Sequence, residues 1–118
     1  MIIAKIKNRY MYHSKDGKPN GSHTYIIYYD KVTKKNHAIA TTHLYTPDKR
    51  RMVQVKYGIY KKMKLPNYET PSGVYHKSVN KNVYGTDINL RSKDVKITGY
   101  LPHNQSKKVL QFINKKQK

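Results

Sequence analysis

His23-Thr24-Tyr25-Ile26-Ile27-Tyr28-Tyr29 and His37-Ala38-Ile39-Ala40-Thr41-Thr42-His43-Leu44 flank a polar, Lys-rich run from Asp30 to Asn36. In the first arm Thr24, Ile26 and Ile27 are β-branched, and Tyr25, Tyr28 and Tyr29 are aromatic. Such side chains fit a pleated surface better than a helix. The run is also too short and too β-branched for a buried helix. The pattern predicts a β-hairpin over residues 23–44, turning between Asp30 and Asn36. The rest of the chain is expected to wrap this hairpin or to decorate it with positive charge.

On the N-terminal side, Ile2, Ala4 and Ile6 alternate with Ile3, Lys5 and Lys7, and Tyr10 and Tyr12 resume the pattern. Residues 2–12 therefore read as a strand pair or one bent strand. Ser14 to Ser22 holds two turn signatures, Lys15-Asp16-Gly17-Lys18 and Pro19-Asn20-Gly21, and reads as a loop. On the C-terminal side, Met52 to Leu65 reads as a strand bent at Gly58, or as two short ones. Pro66 to Asn82 reads as loop, Val83 to Leu90 as a strand with a bulge at Gly85, and Val95 to Gly99 as a short strand. After Leu101-Pro102 the period changes. Val109, Leu110, Phe112 and Ile113 fall on one face of a short closing helix, with Pro102 near its start and lysines after its end. The expected fold is mainly β, a single domain over residues 1–118: a small SH3-like barrel with a short C-terminal helix.

Lys and Arg number 25 against 6 Asp and Glu, a formal net charge of +19 on 118 residues. Like charge at that density opposes compactness, and a polyanion relieves it. Nucleic acid is the partner this implies, through phosphate neutralisation and counterion release. The preference for Lys, Asn, Ile and Tyr suits an AT-rich coding sequence, but that bias does not explain the shortage of acids. There is no Cys, which excludes disulfides, thiol catalysis and Cys-bound zinc. The histidines lack ligand spacing, so no metal and no cofactor is expected. No apolar run approaches a membrane span, and Lys5 and Lys7 interrupt the N-terminal apolar residues, so no membrane association and a cytoplasmic location are expected.

The order of features resembles the MazF/PemK family of toxin endoribonucleases, whose PemK-like barrel is related to SH3 barrels. Gly21-Ser22-His23-Thr24-Tyr25-Ile26-Ile27 stands where the family has a Gly-rich loop, an Arg-Pro pair and an apolar strand. Ala38-Ile39-Ala40-Thr41-Thr42 looks like the family's next strand, which ends in Thr. Asp87-Ile88-Asn89-Leu90, Val95-Lys96-Ile97, Gly99-Tyr100-Leu101 and the closing helix look like its C-terminal part. The resemblance implies a toxin of a toxin–antitoxin module that cleaves single-stranded RNA without metal. It also implies an antitoxin partner, an acidic protein or an RNA, and a homodimer. In the family the Arg and the Thr are the catalytic pair. Here Ser22 or His23 takes the Arg position, and Thr42, or Thr41 with a slip of one residue, matches the Thr. Either the activity has moved to histidines, or the barrel binds nucleic acid without cutting it.

RNA cleavage without metal needs a base for the 2′-hydroxyl, an acid for the leaving 5′-oxygen, and a cation for the phosphorane. Histidine suits both proton transfers near neutral pH, and Arg or Lys suits the third task. His23 and His43 begin and end the hairpin, so they lie at the same end of it. His23, Thr42 and His43 are the catalytic candidates, with Arg50 supplying the cation; His76 is the next catalytic candidate. A His at a strand end is more often simply solvent-exposed, and Thr is an ordinary strand residue. Ser22 has no acidic residue near it to form a triad. Aromatic residues beside cations suit stacking of unpaired bases over a held phosphate chain. On that ground Tyr25, Arg51, Lys56, Tyr60, Lys61, Lys62, Lys64, His76 and Lys77 are the candidate RNA-binding residues.

Overall fold

A computed structural model describes residues 1–12, 21–43, 60–66, 68, 70–79 and 81–115, with only the backbone of residues 12, 43 and 60. The hairpin is as expected. Strands β2 (Ser22–Asp30) and β3 (Lys35–His43) follow β1 (Ile2–Lys7) and pair from Tyr25↔Ala40 to Asp30↔Lys35. Asp30 shapes the turn, its Oδ1 accepting the amide of Val32 at 2.8 Å. Lys34 supplies the left-handed step at φ 58°.

Tyr25, Ile26 and Ile27 are buried in succession, so β2 is covered on both faces, whereas many antiparallel sheets leave one face in water. On one face Ile3, Ile26, Ile39, Val74 and Met63 meet Leu101, Val109 and Ile113. On the other, Ala4, Ile6, Tyr25, Ile27 and Ala38 meet Val83, Ile88 and Val95. The Tyr25 ring has room because its cross-strand neighbours are Ala4 and Ala40.

The fold is mainly β, with a short C-terminal helix. Its six strands form one antiparallel sheet in the order β4-β5-β3-β2-β1-β6, and the sheet is not closed on itself. β4 (Tyr60–Met63) keeps part of the expected strand of residues 52–65; residues 51–59, with the bend at Gly58, lie outside the described residues. So does the expected loop of residues 14–22 as far as residue 20. β6 (Val95–Tyr100) forms where expected, with a register shift opposite Ile3 and Ala4. α3 (His103–Ile113) also forms where expected, buries Val109 and Ile113, and has Pro102 at its N-cap position.

Three segments differ from the sequence reading. Asn8–Tyr12 is a helical turn, α1, rather than more strand. Arg9 leaves the sheet to bind Asp94 at 2.6 Å, and the Tyr10 hydroxyl accepts the amide of Asn89 at 2.8 Å. Ser72–Tyr75, inside the expected loop, is strand β5 between β3 and β4. Its strand character owes much to having a partner on each side, since Val74 and Tyr75 favour it locally but Ser72 and Gly73 do not. Lys81–Gly85, which overlaps the expected strand of residues 83–90, is the short helix α2. It inserts Val83 into the second core cluster, and the Asn36 carbonyl, on β3, accepts the amide of Ile88 at 3.0 Å. No helix among the described residues is long and apolar enough to cross a membrane.

Two outcomes follow. Ile26→Ala leaves a cavity between β2 and α3 and lowers unfolding free energy by about 2–5 kcal/mol in urea titration. The Arg9 guanidinium holds the Asp94 carboxyl below the usual carboxylate range. Its stabilisation is complete above the unfolded carboxylate pKa of about 3.9 and is lost as pH falls through the lower folded value. An acid titration of unfolding midpoint is therefore shallower for Asp94→Asn than for the native chain.

Candidate nucleic-acid interface

The site arises where two strands part. β3 pairs with β2 as far as Ala40, and then Thr41, Thr42 and His43 pair with Val74, Gly73 and Ser72 of β5. The start of β2 stays with β1, setting Thr24, His23 and Ser22 opposite Lys5, Ile6 and Lys7. Between the diverging ends of β2 and β3 lies a cleft of about 420 Å³. Ser22, His23, Thr24 and Tyr25 line it from β2, and Ala40, Thr41 and Thr42 from β3. Lys5, Tyr68, Ser72 and Tyr75 complete the wall.

Local hydrogen bonds fix this fork. Thr41 Oγ1 donates to the Thr24 carbonyl at 2.7 Å, crossing the gap where the ladder ends. The Thr24 hydroxyl meets the Tyr68 hydroxyl at 2.8 Å and draws the segment after β4 over the cleft. The lining is rich in hydroxyl groups, with one lysine and one histidine, and among the described residues it has no carboxylate. Hydroxyls and amines donate hydrogen bonds to phosphate oxygens, and a nearby carboxylate would repel them. The three carboxylates in the described segments are occupied elsewhere. Asp30 closes the hairpin turn, Asp87 accepts the amide of Asn36 at 2.9 Å, and Asp94 holds Arg9.

His23 and Thr42, two of the catalytic candidates, share this cleft. His43 is placed by its backbone opposite Ser72, one residue beyond Thr42. Arg50, Arg51 and Lys56 lie outside the described residues, and Tyr60 is placed by its backbone opposite Tyr75. Tyr25 lines the cleft but is only 2% exposed, so its ring serves the core and offers no open face to a base. Lys61 and Lys62 stand on the edge strand β4, and Lys64 follows it.

His76 and Lys77 do something the sequence did not suggest. His76 is buried; its Nε2 donates to the Lys115 carbonyl at 2.8 Å, and its Nδ1 accepts the amide of Ser78 at 3.1 Å. Lys77 reaches Asn114 Oδ1 at 3.2 Å. Both residues tie down the chain just after α3, through the Lys115 carbonyl and the Asn114 side chain, and neither lines the cleft. Conversely, Lys5, Thr24 and Tyr68 line the cleft without having been candidates. Lys5 was traceable in principle, as the polar residue two positions after buried Ile3 on the same face. Tyr68 was not, because only the chain's return over the sheet brings it there.

Thr41→Val removes the bond that pins the fork. It costs about 1 kcal/mol of stability in urea titration and speeds amide exchange at the end of β3. Comparison with protein-family models, with curated proteins and with solved structures finds no match for this chain, so the cleft is read from its own chemistry.

Proposed function

We propose that this chain binds single-stranded nucleic acid, RNA first, with the cleft between β2 and β3 as its seat. The observation that carries the reading is the lining: hydroxyls, Lys5 and His23, with no carboxylate among the described residues. The net charge of +19 supports it, because few acids are present to neutralise the lysines internally. A narrow fork between strands suits a flexible single strand better than a stiff duplex.

A second reading is favoured by the presence of His23, Thr42 and Lys5 in one cleft. In it the chain is a metal-independent endoribonuclease, the toxin of a toxin–antitoxin module held in check by an acidic protein or RNA antitoxin. His23 takes the proton of the 2′-hydroxyl, which attacks the adjacent phosphorus. Lys5 and the Thr42 hydroxyl steady the charged phosphorane. The 5′-oxygen leaves with a proton from a general acid, the role assigned to His43 from the sequence, giving a 2′,3′-cyclic phosphate.

Labelled single-stranded RNA and DNA, titrated with purified chain in EDTA across a series of salt concentrations, test both readings. The expected result is tight binding at low ionic strength, with log affinity falling linearly against log salt by about 0.7 per phosphate contacted. No binding at low ionic strength sinks both. RNA cleavage in EDTA, lost in His23→Ala while binding persists, selects the nuclease; binding without cleavage leaves the first reading alone.

A further inference from the structure

The cleft between β2 and β3 has a neighbour. A second cavity of about 250 Å³ is lined by Ile3, Lys5, Pro66, Tyr68, Thr98 and Gly99. Lys5 and Tyr68 belong to both cavities. The sheet register explains the arrangement. Lys5 of β1 stands opposite Thr24 of β2 on one side and opposite Lys96 of β6 on the other. Thr41 continues the line through its bond to Thr24. Neighbouring strands lie about 4.8 Å apart, so the paired part of this row, from β6 to β2, spans about 10 Å. Lys5 and Lys96 are both exposed along it.

The same face is apolar one row away. Ile3 and Ile26, two residues along from Lys5 and Thr24, are buried beneath α3. The cover stops at the row of Lys96, Lys5, Thr24 and Thr41, and the two cavities open there. Tyr68, tethered through its hydroxyl to Thr24, forms part of the wall of each. Neither cavity has a carboxylate in its lining among the described residues. Two adjoining recesses with a cation at their shared boundary match the repeat of a single strand: a nucleoside, a phosphate, a nucleoside.

We propose that the two cavities are consecutive nucleotide subsites and that Lys5 holds the phosphate linking their occupants, with Lys96 next along the strand. The proposal rests on the reading of the chain as a single-strand binder and adds to it a path, across β2 and β1 toward the β6 edge. Tyr68 keeps the two bases apart, and Lys5 is the residue that makes a dinucleotide bind better than its halves.

The test is an NMR titration of the full chain with a diribonucleotide lacking terminal phosphates, so that the linking phosphate is its sole charge. The same compound with a neutral methylphosphonate linkage is the second ligand. The expected result is about tenfold weaker binding of the neutral ligand, as for one lost charge-assisted contact. Lys5→Gln weakens the natural dinucleotide by the same factor and leaves the neutral one unchanged. Lys107→Gln, on α3 outside both cavities, makes the same change of net charge and has a smaller effect. Equal binding of the two ligands, or equal effects of Lys5→Gln and Lys107→Gln, overturns the proposal. If long single strands still bind at low ionic strength, only the two-subsite proposal falls; if they do not, the binding reading falls with it.

Discussion

The structure depends on the double burial of β2. Tyr25, Ile26 and Ile27 point to alternate faces and all are buried, so neither face of the sheet can be left to water. One face takes α3, Leu65 and Leu101; the other takes α1, α2 and Ile88. At roughly 25 cal/mol per Å² of apolar surface, covering both faces of so small a sheet is what offsets the ordering of the chain. The cover has limits, and those limits define the site. Where the row beyond Ile3, Ile26 and Ile39 becomes Lys5, Thr24 and Thr41, the packing ends and the cleft begins.

The fork is the second consequence. A strand has two edges, and β3 uses them at different ends, pairing its first part with β2 and its last residues with β5. The facing edges of β2 and β3 separate after the Tyr25↔Ala40 pair. Side-chain hydroxyls then take over from the backbone ladder, as in Thr41 to the Thr24 carbonyl and Thr24 to Tyr68. A sheet that opens in this way gathers polar side chains from several segments around one gap. The few carboxylates described are committed to turns and to Arg9, so this polar gap is free of their charge.

Much of the fold was legible in the residues. The hairpin could be read because its strand preference is local and its turn is polar. β6 could be read from Val95 and Ile97, and α3 from four apolar residues at helical spacing. α1, β5 and α2 could not. Tyr10 and Tyr12 continue an alternation that the Arg9–Asp94 pair and the Tyr10–Asn89 bond override. Ser72 and Gly73 have little strand preference until β3 and β4 lie on either side of them. Val83 has a β-branched side chain, yet burial in the cluster on the second face, with α2 packed on β3, decides its helix.

The sequence by itself determined the sign and excess of charge, the hairpin, the closing helix and the placing of His23 and Thr42 near one end of the hairpin. These follow from composition and from neighbours within a few residues. Only the tertiary structure decided which polar residues share a cleft, because Lys5, Thr24 and Tyr68 come from three separate segments. It also decided that His76 and Lys77 hold the chain just after α3 and that Tyr25 belongs to the core. The physical reason is that a side chain's use depends on what the returning chain lays against it, which local preference does not encode.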